Sequence, residues 1–218
     1  MSANREAKAV DQSGRTLGPR AIQTRDRLLQ ATAELLTERS VRDISVVEIA
    51  RKANTSPATF YQYFKDATEA TLYLAAAAAE EMPALIGLID GEWRGKEGLE
   101  TARAVTRAFV DHWDAHRSVL LVRNLFADEG DRRFMKVRRH AISPVIEHLA
   151  RRIEEGQAQG KVAREIHPAA AAAAMASVLE RLAAHHREIE YFGASREQLI
   201  ESTAWILFQT VTGRGAPA

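Results

Sequence analysis

A chain of 218 residues, 46% hydrophobic and 27% charged, holds enough apolar sequence for one large or two modest cores. It has no cysteine, which excludes a disulfide framework, a thiol nucleophile and a cysteine-rich zinc site. Net charge is only +1, yet eleven Lys/Arg against seven Asp/Glu put residues 1–65 at +4 and leave the remainder at −3. A basic head on a mildly acidic body is the asymmetry of a chain with one end facing phosphate.

Strand-like alternation is scarce and alanine and aliphatics dominate, so the composition predicts an all-α fold of about nine helices. Residues 1–20 are polar and aperiodic, with Gly14, Gly18 and Pro19; they read as a disordered basic arm whose Arg5, Lys8, Arg15 and Arg20 could lie along DNA. From Ala21 to about Glu38 a helix turns Leu28, Leu35 and Leu36 inward, with Arg25 and Arg27 near its start, where phosphate contacts are expected.

The run from Ser45 to Phe64, SVVEIARKANTSPATFYQYF, is the most informative in the chain. Ser45 and Glu48 form a capping box, each side chain taking an otherwise unpaired amide at a helix start. Val46, Ile49, Ala50 and Ala53 then share one face, with Glu48, Arg51 and Lys52 on the other. Asn54-Thr55-Ser56 breaks the period; Ser56 caps a second helix, and Pro57 suits its first position. Phe60 and Phe64, four residues apart, are expected against the core, leaving Pro57, Ala58, Thr59, Gln62 and Tyr63 outward.

Two short helices around a tight turn are the shape of a helix-turn-helix, whose second helix enters the major groove. Gln62 has the donor and acceptor for a bidentate pair with adenine, and Ala58 or Thr59 packs on a thymine methyl. The hydroxyls of Thr59, Tyr61 and Tyr63, with Lys65 beside them, suit phosphate contacts that position without reading sequence. The bland alternative is a helical hairpin with a solvated polar face. Capping box, Ser-Pro start and aromatic close together favour the DNA reading.

The block from Ile22 to about Ala70, through DRLLQATAELLTERS and ISVVEIARKANTSPATFYQYF, resembles the N-terminal domain of the TetR (tetracycline-repressor-like) family of transcriptional regulators. The resemblance implies a three-helix head over residues 21–66 and a ligand-binding and dimerisation body over 67–218. It implies DNA contacts from Thr59, Tyr61 and Tyr63, with Pro57, Ala58 and Gln62 towards the bases. The full expected DNA-binding set is Arg25, Ser45, Val46, Ser56, Pro57, Ala58, Thr59, Tyr61, Gln62, Tyr63 and Lys65. Two positions depart from the family pattern: the usual lysine opening the fourth helix is Ala67, and the usual glycine ending the first is Ser40. The first removes one expected phosphate contact.

Asp66 is placed to cap a fourth helix from Ala67 through Leu72, Leu74 and an alanine run, kinked or ended by Pro83. Gly87, Gly91, Gly95 and Gly98 read as a loop. Helical periodicity resumes over 99–115, with Ala102, Val105, Phe109 and Trp113 inward. It continues in a short piece over 118–127, and over 131–159 with an interruption at Ser143-Pro144. His167-Pro168 opens a small-residue helix carrying Met175, Val178, Leu179 and Leu182 on one side. A second capping box, Ser195 with Gln198, opens the last helix, to about Thr212. The longest apolar run, Ala75–Ala79, is short and flanked by acids, so no membrane span is expected, and no signal-peptide pattern opens the chain; the cytoplasm is the expected compartment.

By the resemblance, the last two helices pair with their copies in a homodimer, with Leu199, Ile206, Leu207 and Val211 as the apolar stripe. Two heads one helical turn apart would then address a palindromic operator. The resemblance also implies an effector pocket, for which Phe109, His112, Trp113, Leu121, Asn124, Leu125, Phe126, Met135, Met175 and Leu179 are candidates. Their apolar character suits a small hydrophobic effector and calls for no resident cofactor. An enzyme or metal-binding protein is the competing class. His112 and His116 stand one turn apart with Asp111 beside them, but a working metal site needs a third converging ligand. No metal site, catalytic residue, phosphate loop, dinucleotide fingerprint or nucleophile elbow is read from the sequence. A non-specific DNA-packing protein would leave the large apolar body unexplained.

Overall fold

The computed structural model describes residues 12–213, and among them it contains nine α-helices, two short 3-10 turns and no β-strand. Arg5 and Lys8 of the expected arm lie outside the described residues. The described residues form two compact units. One runs to Ala77 and takes in Ser118–Met135; the other comprises Ala78–Arg117 and the chain from Lys136 onward.

In the first unit, α1 (Pro19–Glu38) buries Leu28, Ala31, Thr32, Leu35 and Leu36, the i,i+3,i+4 face expected of it. It starts two residues early because Pro19 fits a first helical turn. α2 (Val46–Lys52) and α3 (Pro57–Tyr63) follow, then α4 (Ala67–Ala79), capped by Asp66, whose Oδ1 accepts the Glu69 N–H at 2.8 Å. The Ser118–Met135 segment belongs here as well. Phe126 stacks on Phe134 with ring centroids 5.1 Å apart, and Arg42 meets Glu129 at 2.5 Å. Both partners of that ion pair are well exposed, so it marks proximity more than it stabilises.

In the second unit, the glycine-rich stretch expected as a loop is largely helical. α5 (Met82–Ile89) runs through Gly87, and α6 (Gly95–Asp128) begins at Gly95. Met82, Leu85, Ile86 and Ile89 are all buried at i,i+3,i+4,i+7, and that gain exceeds the cost of one glycine, about 1 kcal/mol. Gly98 is required for a different reason. A Cβ there would lie 2.3 Å from the Trp93 carbonyl carbon, so the loop backbone sits directly on the helix.

The helices expected over 99–115 and 118–127 meet within α6 at His116, whose non-helical backbone (φ −120°, ψ 16°) separates two helical segments. α7 (Arg132–Ala158) passes through Pro144 without ending. Phe134, Ala141, Val145, Leu149 and Ile153 are buried along it, and this stripe outweighs the missing amide. α8 (Pro168–Ile189) and α9 (Arg196–Thr212) complete the unit, α9 with its expected capping box and with Gly213 (φ 64°) beyond its end. Arg103 grips Glu201 at 2.7 and 2.5 Å, and Arg107 grips Glu197 at 2.9 and 2.6 Å, tying α6 to α9.

The 23-residue stretch Ala67–Ile89 is apolar enough, by length and composition, to cross a membrane. In the fold it is two helices of 13 and 8 residues, parted at Glu80 and Glu81. At 1.5 Å per residue neither spans a hydrocarbon core of ~30 Å.

Candidate functional site

The α2–α3 hairpin is assembled by its own side chains. Ser45 Oγ accepts the Glu48 N–H at 3.3 Å while Glu48 Oε2 accepts the Ser45 N–H at 3.0 Å, so both halves of the capping box are present. The amide and hydroxyl of Ser45, then Arg39, hold the Glu48 carboxyl at about 2, well below its ordinary value of 4.5. Asn54 takes the left-handed conformation (φ 53°) that turns the chain, at a residue type that tolerates it. Ser56 caps α3, its Oγ accepting the Thr59 N–H at 3.2 Å, and Pro57 follows in the first turn.

This geometry leaves Ser56, Pro57, Ala58, Tyr61, Gln62 and Lys65 exposed, Ser45 exposed, and Thr59 and Val46 half-buried. Behind them Phe60 and Phe64 are fully buried, with ring centroids 5.4 Å apart. Tyr63 corrects one expectation: it is 7% exposed rather than outward. It stands three residues from Phe60, so the helical repeat puts it on the same inward face. Arg25 is half-buried, its guanidinium 4.7 Å from the Tyr73 ring centre and 5.6 Å from that of Phe64. It thereby braces α1 against the aromatic close of α3 and against α4, a contact worth ~0.5–1 kcal/mol. Ala67, where the family usually carries lysine, is buried as the first residue of α4.

Part of the expected irregular arm is also fastened here. The Gln12 N–H donates to the Gln62 carbonyl at 3.0 Å, and its side-chain amide donates to the Tyr63 carbonyl (3.0 Å) and to Glu69 (2.9 Å). These bonds use carbonyls that the end of α3 leaves unpaired. No pattern in the sequence signals them, because one glutamine 50 residues upstream has no periodicity to read.

The expected pocket residues divide between the units. In the first, Leu121, Leu125 and Met135 are 38, 43 and 40% exposed, and Asn124 and Phe126 are half-buried. In the second, Phe109, Trp113 and Leu179 are packed in the core, and Met175 is half-buried. That unit carries an open cleft of about 650 Å³ in which Ala84, Leu85 and Leu88 supply apolar surface and which Glu80, Glu81, Asp111 and His112 also line. His112 is the expected residue that borders it. On α9 Leu207 and Val211 are buried in the chain's own core, so the expected stripe splits: Leu199 is half-buried and Ile206 (48% exposed) remains on the outside, while on α8 Val178 is 39% exposed.

A helix-turn-helix with a capped second helix, an exposed polar tip and a separate helical body is the architecture of a DNA-binding transcription regulator. Two family descriptions match in tandem: "Bacterial regulatory proteins, tetR family" over residues 28–73, and "Tetracyclin repressor-like, C-terminal domain" over residues 85–218. The chain belongs to the TetR family of transcription regulators. No curated protein matches it.

Solved structures share the fold at low identity. The fatty acid degradation regulator FadR from Bacillus halodurans is 15% identical with a TM-score of 0.62, covering 89% of this chain and 97% of its own. Salmonella enterica GusR is 18% identical with a TM-score of 0.61, covering 90% and 96%. Thermus thermophilus FadR, a TetR family transcriptional repressor solved in complex with lauroyl-CoA, is 21% identical with a TM-score of 0.51, covering 89% and 98%.

Proposed function

We propose that this regulator is a cytoplasmic homodimeric repressor that binds a palindromic operator through α3 and is released by a small hydrophobic effector. The observation that carries the reading is the exposed tip of α3. Pro57, Ala58, Tyr61 and Gln62 stand clear of the core while Phe60 and Phe64 hold the helix from behind. Gln62 reads a base edge; Ser45, Ser56, Thr59, Tyr61 and Lys65 bind phosphates, and Arg25 and Tyr63 support them from the half-buried and buried side.

Exposed Val178 and Ile206 on α8 and α9 support pairing with a second copy, which matches protein twofold symmetry to operator symmetry. The apolar surface of Ala84, Leu85 and Leu88 in the cleft of the second unit supports an effector with an apolar moiety, as does the lauroyl-CoA held by the Thermus relative. Effector binding and DNA binding are then two sites coupled by ~1–3 kcal/mol, through α4, which leads from the head into the second unit.

Gel shifts of the purified chain on fragments flanking its own gene test this. A twofold-symmetric footprint, lost on adding long-chain acyl-CoA, is the expected result. Failure to retain any fragment at low ionic strength overturns the reading.

A further inference from the structure

The histidine pair on α6 gains in the fold the partner that its sequence lacked. His112 and His116 stand one helical turn apart with ring centroids 4.9 Å apart. Glu81, at the junction of α4 and α5, directs Oε2 to 2.8 Å from His116 Nε2 and 3.8 Å from His112 Nδ1. The three ligand atoms all lie within 4.8 Å of one another. Both imidazoles are largely covered, with side chains 11% and 27% exposed, while Glu81 is 57% exposed and gives solvent access. The neighbouring carboxylates are engaged elsewhere: Asp111 accepts from Arg196 at 2.5 Å, and Glu80 lies 3.4 Å from His140.

We infer that Glu81, His112 and His116 form a binding site for one divalent transition-metal ion of the zinc class. Zinc bonds of ~2.0–2.2 Å at tetrahedral angles set ligand atoms roughly 3.3 Å apart. The two separations from Glu81, 2.8 and 3.8 Å, bracket that value, and the two imidazole nitrogens, within 4.8 Å of each other, must turn towards one another to close the shell. Two imidazoles and a carboxylate suit zinc, cobalt or nickel; a soft ion such as Cu(I) would call for thiolates or thioethers. Three protein donors leave a fourth position for water.

The location gives the ion a consequence. The chain passes from the first unit to the second after Ala77 and returns after Arg117. Glu81 stands just beyond the first crossing. His116, where α6 departs from helical geometry, stands just before the second. An ion held by all three fastens these two chain segments together and holds the kink at His116.

The test uses the untagged full-length chain, stripped with chelator, with cobalt(II) as the optical probe and zinc as competitor. The expected result is one cobalt per chain with a visible absorption band, displaced by zinc. His116→Ala and His112→Ala should each weaken binding by about tenfold or more, and Glu81→Gln should also weaken it. Thermal melts of the metal-free variants show whether they fold. In addition, the ring nitrogen resonances of His112 and His116 in the unsubstituted protein should shift on adding zinc. Absence of stoichiometric binding, binding undiminished in folded His116→Ala, or ring resonances that do not move would each leave Glu81–His116 an ordinary ion pair and overturn the inference. None of these readouts involves DNA, so the outcome is independent of the operator reading.

Discussion

Gln62 on α3 and Phe64 at the end of that helix, two positions apart, should separate reader from scaffold. Phe64 is fully buried, with ring centres 5.4 Å from Phe60, 6.3 Å from Tyr63 and 5.6 Å from Tyr73, and Arg25 over its face at 5.6 Å. Phe64→Ala removes the ring from a site that four neighbours enclose and leaves a cavity, at a cost of ~3–5 kcal/mol. That is a large share of the ~5–15 kcal/mol that holds a domain together. For a unit of roughly 95 residues each kcal/mol lowers the melting temperature by ~4–8 °C, so a fall of more than about 10 °C is expected.

Gln62→Ala lies on the exposed face and should move stability by no more than about 0.5 kcal/mol. It should instead cost ~1–3 kcal/mol of discrimination at one base pair, leaving affinity for altered operators nearly unchanged. Calorimetric melts paired with binding to a panel of single-substitution operators measure both. A Phe64→Ala protein melting within about 3 °C of the parent would refute the packing argument. A Gln62→Ala protein with an unaltered base preference would refute its assignment as a reader.

The capping box of α2 predicts an acid-sensitive contribution. The folded Glu48 carboxyl titrates at about 2 against 4.5 ordinarily, so its contribution is fully present above about pH 4.5 and is lost as pH falls through about 2. The melting difference between the parent and Glu48→Ala should therefore shrink across that interval, as followed by circular dichroism. Gly98→Ala should lower the melting temperature of the second unit although it touches no proposed ligand, because its Cβ would meet the Trp93 backbone at 2.3 Å. An unchanged melt would mean that the loop moves aside without cost. Ile206→Asp, at 48% exposure, should leave the folded chain intact while shifting sedimentation from dimer to monomer; a dimer that persists would remove α9 from the interface.

The sequence by itself determined the local signals and their order. Both capping boxes, the Ser56-Pro57 start, the Asp66 cap and the buried face of α1 follow from interactions spanning three to seven residues, which a linear reading resolves. The exposed tip of α3 was legible for the same reason, apart from Tyr63, whose three-residue spacing from Phe60 sends it inward.

Tertiary structure decided what local preference disfavours or does not address. Glycine at 87 and proline at 144 read as breaks, yet burial of long apolar stripes carries α5 and α7 through both. Leu207 and Val211 were drawn into the chain's own core, leaving Ile206 outside. Glu81 met His112 and His116 across some thirty residues of intervening chain. Periodicity reports which side of a helix is apolar; what packs against that side is set by the balance of buried area over the whole fold.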